Sequence, residues 1–294
     1  MEATGFILAA GLGTRIAELS RHRPKPLLPI ARTTAFARAA EQLRASGVAA
    51  VVANAAHLAE QVAAAGERLG VAVSIERDGP TGTAGGHAHA RPLLGDRAIV
   101  TWNGDIVADL DARVLLARME ATGESLVLAV RSVGAPRSGP IGLDGEGRIV
   151  RMRDVSFGVE VAGAQFAAIY AQSAALVASL PMHGDIVADA WIPLLARGGR
   201  AGSVVYEGRF HDIGAPKSYL ECNLDLLEGS PAVVGANAVV EPSVTMAFAV
   251  IGEGARVGGN GLLERVVVWP GARARAPLER AIVVDESTVV WVPA

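Results

Sequence analysis

Residues 6–29 read FILAAGLGTRIAELSRHRPKPLLP, and the fold is decided there. An apolar run, Phe6–Ala10, meets a glycine-rich turn, Gly11-Leu12-Gly13, followed by Thr14 and Arg15. Ten residues after Arg15, Lys25 stands between Pro24 and Pro26. A strand that enters a glycine-rich turn and then a helix start leaves backbone N–H groups to surround an anion. Glycine lets that backbone approach phosphate oxygens closely. Two common phosphate motifs fail here. A P-loop needs a lysine directly after its last glycine, and the nearby lysine is Lys25; the dinucleotide fingerprint needs a small residue where Ile16 stands. The chain has two lysines, Lys25 and Lys217, among many arginines, so position 25 points to a compact ammonium rather than a guanidinium fork. The segment reads as a grip on a nucleoside triphosphate.

Downstream, apolar runs alternate with helical patterns. Strands are expected at Val48–Ala53, Val71–Glu76, Ala98–Trp102 and Leu126–Val133, with helices at 34–45, 58–69 and 111–120. A glycine-rich turn, Gly79–Gly86, leads into a helix ending near Leu94. Such alternation indicates βαβ units and a mainly parallel sheet. Later come a hairpin over Ile141–Arg153, strands at Ala164–Tyr170 and Ser203–Tyr206, and helices at 186–196 and 216–227. Gly229-Ser230-Pro231 marks a boundary between domains 1–229 and 230–294.

The final third changes character. Val234, Ile251, Val268 and Val284 fall in register at spacings of 17, 17 and 16, with small or polar residues between aliphatic ones. Repetition of this kind indicates a β-solenoid with three short sides per coil. Regularly spaced sandwich strands would not need that register.

Composition excludes several classes. The net charge is −3 and 19% of residues are charged, which gives no electrostatic footprint for nucleic acid. No apolar run reaches the roughly 18–20 residues that span a bilayer. Glu2 and the interrupting glycines argue against a signal peptide. The single cysteine, Cys222, allows no internal disulfide and no multi-thiolate metal site. A cytoplasmic location is expected, with neither membrane nor nucleic acid as partner. His87 and His89, two apart, do not share a helix face and read as surface residues at a helix start.

The motifs together resemble the sugar-phosphate nucleotidyltransferases, whose hallmark is similar to L-A-A-G-x-G-T-R followed by P-K-P-L-[LV]-P. Leu8–Arg15 and Pro24–Pro29 carry both parts intact. Gly82-Thr83-Ala84-Gly85 is similar to the base-binding segment of guanylyl-transferring members, and Gly104-Asp105 to the family's G-D at a strand end. Asp212, Gly214, Pro216, Tyr219, Leu220 and Asn223 match its D-x-G-x-P-x-x-Y-L-x-x-N.

The resemblance implies an α/β fold, a Rossmann-like nucleotidyltransferase domain of mainly parallel sheet with a short C-terminal left-handed β-helix. It implies nucleotide contacts from Leu8, Ala9, Ala10, Gly11, Gly13, Thr14, Gly82, Thr83, Gly85 and Gly104. Arg15 and Lys25 would neutralise the phosphates that change bonding, and Asp105 and Asp212 would hold Mg²⁺. Two departures stand out. Glu18 sits where many members have proline, and Arg151-Met152-Arg153-Asp154 lacks the usual E-K-P whose lysine binds the sugar phosphate. Arg153 or Arg151 is expected there instead, with Asn54 and Phe166 nearby.

The implied reaction joins an NTP to a sugar 1-phosphate and releases pyrophosphate, with GTP and mannose 1-phosphate first. A uridylyl- or other nucleotidyl-transferring member with a different sugar phosphate is the alternative, as is a non-catalytic nucleotide-sugar-binding regulator. An acyltransferase is disfavoured, because no histidine follows His211 to act as a base in the solenoid. Aliphatic solenoid edges suit a homo-oligomer.

Overall fold

The computed structural model describes residues 1–293 and divides into two compact units. The first comprises Met1–Leu12 and Ala39–Phe210; the second comprises Gly13–Arg38 and His211–Ala294.

A ten-stranded sheet organises the first unit. Its parallel core consists of β1 (Ala3–Leu8), β2 (Ala50–Ala55), β3 (Ala72–Ile75) and β4 (Ala98–Asn103), in the order β3-β2-β1-β4. Beyond β4 lie β5 (Leu126–Gly134), β6 (Ala162–Gln172) and β7 (Ala201–Val205). Strand β6 runs antiparallel to both β4 and β5, and β7 runs parallel to β5. The hairpin Ile141–Leu143 with Ile149–Met152 extends the β6 edge. These strands read as unbroken apolar runs because both faces are covered: Leu126 through Val130 are five consecutive residues with no exposure.

Helices α1 (Ala59–Leu69), α2 (Gly82–Leu94) and α3 (Arg113–Thr122) join the successive strands from β2 to β5. Gly70 and Gly123 close α1 and α3 in the left-handed conformation that a Cβ disfavours. Phe6, Ile99, Leu128, Tyr170 and Trp191 meet in one core cluster. Burying each such side chain contributes about 1.5–3 kcal/mol relative to exposure.

Two elements differ from expectation. The glycine-rich stretch expected as a turn up to Gly86 is helical from Gly82 onward. The expected helix 186–196 is instead a π-helical turn, Val187–Trp191, followed by a short α-helix, Ile192–Ala196.

The second unit holds a six-stranded sheet of mostly parallel ladders. Val234 pairs with Ile251 and Ile251 with Val268, each one step of 17 residues along the chain. Corners repeat at the same step: Asn237, Gly254 and Gly271 share positive φ, as do Phe248 and Arg265. Val283, not Val284, takes the next place, paired with Val268. The last step is two residues shorter because the register shifts between Gly259 and Leu263, which face Ala276 and Leu278. Ile251, Val268 and Val283 are each 1% exposed, so the register is fixed by a buried aliphatic stack. Val289–Trp291 returns antiparallel and pairs with the strand Arg273–Val283.

Candidate active site

In the first unit the strand order reverses between β1 and β4, and ligands of open α/β sheets bind at the carboxyl ends of strands flanking such a reversal. Leu8 ends β1 there, and its carbonyl accepts the Gly104 N–H at 2.9 Å. Ala9 and Ala10 are buried, while Gly11 and Leu12 are exposed. The backbone N–H of Ala9 donates to Asn54 Oδ1 at 2.7 Å, across the end of the neighbouring strand β2. Asn54 Nδ2 in turn donates to Glu76 Oε1 at 2.7 Å. Glu76 Oε2 accepts from Thr81 N at 2.6 Å and from Thr81 Oγ1 at 2.7 Å. Asn54, Glu76 and Thr81 thus tie the turn after β1 to the residue that precedes α2.

Asn54 had been expected at the sugar phosphate. It is 2% exposed and its carboxamide is engaged inward at both atoms, so the structure makes it a strut behind the turn. Glycines at 85 and 86 follow from packing: a Cβ at 85 would press on Thr81 and the Met182 carbonyl, and one at 86 on the Asn54 amide. Thr83 Oγ1 accepts the Ile186 N–H at 2.8 Å, and Gly184 exchanges backbone bonds with Thr81 and Ala84. His87 corrects a second expectation. It is fully buried rather than on the surface, with Nε2 2.9 Å from Thr101 Oγ1, and burial lowers its pKa to about 4. His89 is exposed.

Asn103-Gly104-Asp105 turns tightly after β4, closed by the Trp102 indole N–H donating to the Ile106 carbonyl at 3.0 Å. The turn holds Asp105, partly buried, two residues beyond the strand end.

The hairpin treats its two arginines differently. Arg151 is 4% exposed, forked onto Glu160 at 2.7 and 3.0 Å, and donates to the carbonyls of Gly139 and Arg153. That arginine holds Glu160 down to a pKa of about 2, and four of its five N–H donors are engaged within the protein. Arg153 is half-exposed, at positive φ, and pairs with Asp185 at 2.8 Å. Phe166 is partly buried, with its ring against Tyr170 and Trp191 at 5.8 and 5.7 Å.

In the second unit, Arg15, Lys25 and Asp212 gather near Gly214. Thr14 and Arg15 are exposed in a short 3₁₀ turn. The Lys25 side chain is 10% exposed, with Nζ 3.7 Å from Asp212 Oδ1. Gly13, at φ +64, lies against the Lys25 stem and Ser20. A Cβ on Gly214 would stand 2.9 Å from Asp212 Oδ1 and 3.2 Å from Arg15 Nη2, so glycine there makes room for both.

Helix α4 (Pro216–Asp225) explains the spacing of Tyr219 and Asn223. Four apart, they share one helix face. They hold the hairpin Pro29–Ile30 with Thr33–Thr34, just beyond Lys25. The Tyr219 hydroxyl donates to the Pro29 carbonyl at 2.6 Å and accepts the Trp269 indole N–H at 3.0 Å; Asn223 Oδ1 accepts the Ala31 N–H at 2.8 Å. Tyr219→Phe leaves a buried carbonyl and a buried N–H without this partner, at a cost of about 1–3 kcal/mol each. A fall in melting temperature of several degrees is expected by calorimetry; an unchanged value would contradict the geometry.

Sequence reasoning missed Glu76 and Glu160. Each follows or precedes a strand with no periodic signal, and each takes its partners from elsewhere in the chain. Among the described residues, no three or more His, Cys, Asp and Glu side chains form a ready-made metal cluster, and no helix is long and apolar enough to cross a membrane.

The family model described as "Nucleotidyl transferase" matches residues 4–229. A mannose-1-phosphate guanylyltransferase of Mycobacterium tuberculosis is 25% identical over 94% of this chain and 82% of its own length. An N-acetylmuramate alpha-1-phosphate uridylyltransferase of Caulobacter vibrioides is 30% identical over 76% of this chain and 96% of its own. Among solved structures, HddC from Yersinia pseudotuberculosis superposes with a TM-score of 0.62 at 22% identity, covering 76% of this chain and 99% of that one. The match across the sheet, both glycine-rich turns and the Lys25 segment places the chain in the nucleotidyl transferase family, as a sugar-1-phosphate nucleotidyltransferase.

Proposed function

We propose that the protein transfers guanylyl from GTP to mannose 1-phosphate, forming GDP-mannose and pyrophosphate. The observation that carries the nucleotide half is the buried tie from Ala9 through Asn54 and Glu76 to Thr81, which brings two glycine-rich backbone turns to one end of the sheet. The choice of base and sugar is supported by the name of the M. tuberculosis relative, which matches most of the chain, and by the G-T-A-G at residues 82–85. The name of the C. vibrioides relative supports the second reading, a uridylyl transfer.

In this reading Leu8, Ala9, Ala10, Gly11, Gly13, Thr14, Gly82, Thr83, Gly85 and Gly104 contact the nucleotide. Phosphate oxygen is already anionic at neutral pH, so no protein nucleophile is required; the chain positions its substrates and neutralises charge. Lys25 stabilises charge at the α-phosphate and Arg15 at the departing pyrophosphate. Arg153 releases Asp185 and takes the sugar phosphate, and Phe166 borders the sugar. Asp105 and Asp212 are hard carboxylates, one partly buried and one half-exposed, and suit Mg²⁺, which takes one or two carboxylates and completes its shell with phosphate oxygens and water. When bound, the ion neutralises triphosphate charge.

We also assign residues 1–229 to a catalytic domain and 230–294 to a left-handed β-helix, the form that a step of 17 residues with recurring corners suits. Its exposed Phe248, Leu262 and Trp291 favour self-association, and the proposed assembly is a cytoplasmic homo-oligomer. The base assignment is tested by comparing kcat/KM for GTP and UTP at fixed mannose 1-phosphate. GTP is expected to lead by at least about tenfold, the ratio that roughly 1.4 kcal/mol of preference gives; a lead for UTP would transfer the assignment to the uridylyl reading.

A further inference from the structure

The buried tie between the two turns has a fixed donor–acceptor polarity. Asn54 Oδ1 is committed to the Ala9 N–H, so its Nδ2 must face Glu76 as a donor. The Thr81 N–H is a donor as well. Glu76 is therefore met by donors from both sides, and an acceptor-only side chain satisfies all of them. Glu76 is 5% exposed and Asn54 2%, so water does not compete for these bonds. Gly86 fits the same account, since any Cβ there would meet the Asn54 amide.

Neither Glu76 nor Asn54 is needed to hold the sheet together. The neighbouring ladder already pairs Asn54 with Ser74 and Val52 with Ala72 through the backbone. What the side chains add is a link from the turn after β1 to the start of α2, two segments that share no sheet hydrogen bond. Each segment carries glycines, Gly11 in one and Gly82 and Gly85 in the other, and their separation sets the span of ligand that both can reach.

We propose that Glu76 is a positioning residue for nucleotide binding: acting through Asn54 and Thr81, it fixes the distance between the Leu8–Gly11 turn and the Gly82–Gly85 turn. The inference rests on the nucleotide reading of those turns given above. Glu76 itself touches no substrate. Its loss loosens the grip on the NTP and leaves the sugar phosphate unaffected.

The test uses a polarity swap. Glu76→Gln keeps the size but turns an amide donor toward either Asn54 Nδ2 or Thr81 N. Asn54→Asp places two carboxylates face to face. The double variant Asn54→Asp/Glu76→Gln restores every partner. The new carboxylate at position 54 accepts from Ala9 N and from the new amide at position 76, whose remaining oxygen accepts from Thr81. Steady-state kinetics of pyrophosphate release with GTP and mannose 1-phosphate, or with whichever pair the wild type turns over, gives the readout. Each single variant is expected to raise the KM for the NTP tenfold or more and to change the KM for the sugar phosphate less than twofold; the double variant returns the NTP KM to within threefold of wild type. Single variants with a lowered melting temperature but an unchanged NTP KM would overturn the proposal, as would a folded double variant without recovery. If the singles fail to fold, the double variant decides alone. A wild type inactive with every pair would count against the nucleotidyl-transfer reading, a result distinct from any of these.

Discussion

Lys25→Ala is expected to lower kcat for pyrophosphate release by about 10²–10³-fold, the range for removing one preorganised group aimed at developing charge. The side chain is 10% exposed, its ammonium stands 3.7 Å from Asp212, and Pro24 and Pro26 fix the backbone on both sides. A charge held in that state needs no reorganisation when the transferring phosphate gathers negative charge. Lys25→Arg restores the charge but replaces a point donor with a planar fork, in a space bounded by Gly13 and the two prolines, and is expected to recover less than a tenth of the loss. Melting temperature monitored alongside kcat separates this from unfolding. A Lys25→Ala variant with wild-type kcat would remove Lys25 from the mechanism.

Asp105→Ala is expected to reduce turnover by about 10³-fold or more, on the same scale of charge stabilisation. A carboxylate after a strand end also serves as a turn former, and Asp105 lies in the turn between Asn103 and Ile106. Asp105→Asn separates the two. Asparagine forms such turns equally well but carries no charge for a divalent cation. The Asn variant is expected to lose activity nearly as far as the Ala variant and to need a higher Mg²⁺ concentration for half-maximal rate. Retained activity with an unchanged Mg²⁺ requirement would leave Asp105 a turn residue only.

Much of the fold is legible because its signals are local. Leu126–Val130 is apolar throughout since both faces of the strand are covered, and Gly70 and Gly123 stop their helices through a backbone conformation that other residues resist. The start of α2 is not legible in the same way. Gly82, Gly85 and Gly86 look like loop composition, yet they lie in α2, and they are glycine because Gly184, Met182, Thr81 and Asn54 crowd the positions where a side chain would go. His87 is buried through Thr101 on β4, fourteen residues away, and no helical periodicity announces that contact. In the second unit the strand register is readable until the step between ladders loses two residues, so that Val283 rather than Val284 pairs with Val268. In the same unit, Arg15, Lys25 and Asp212 lie together around Gly214, a grouping that the family resemblance implied and that their distance apart in the chain could not. The pairing of Arg151 with Glu160, nine residues on, carries no local signal in the sequence.

Nucleotidyl transfer itself is tested most directly by a matrix of NTPs against sugar 1-phosphates in Mg²⁺ buffer, reading pyrophosphate and NDP-sugar together. The account predicts equimolar release of the two products only when both substrates are present, with GTP and mannose 1-phosphate giving the highest kcat/KM. Folded protein that releases no pyrophosphate with any pair, or releases it from NTP alone without forming an NDP-sugar, would contradict it.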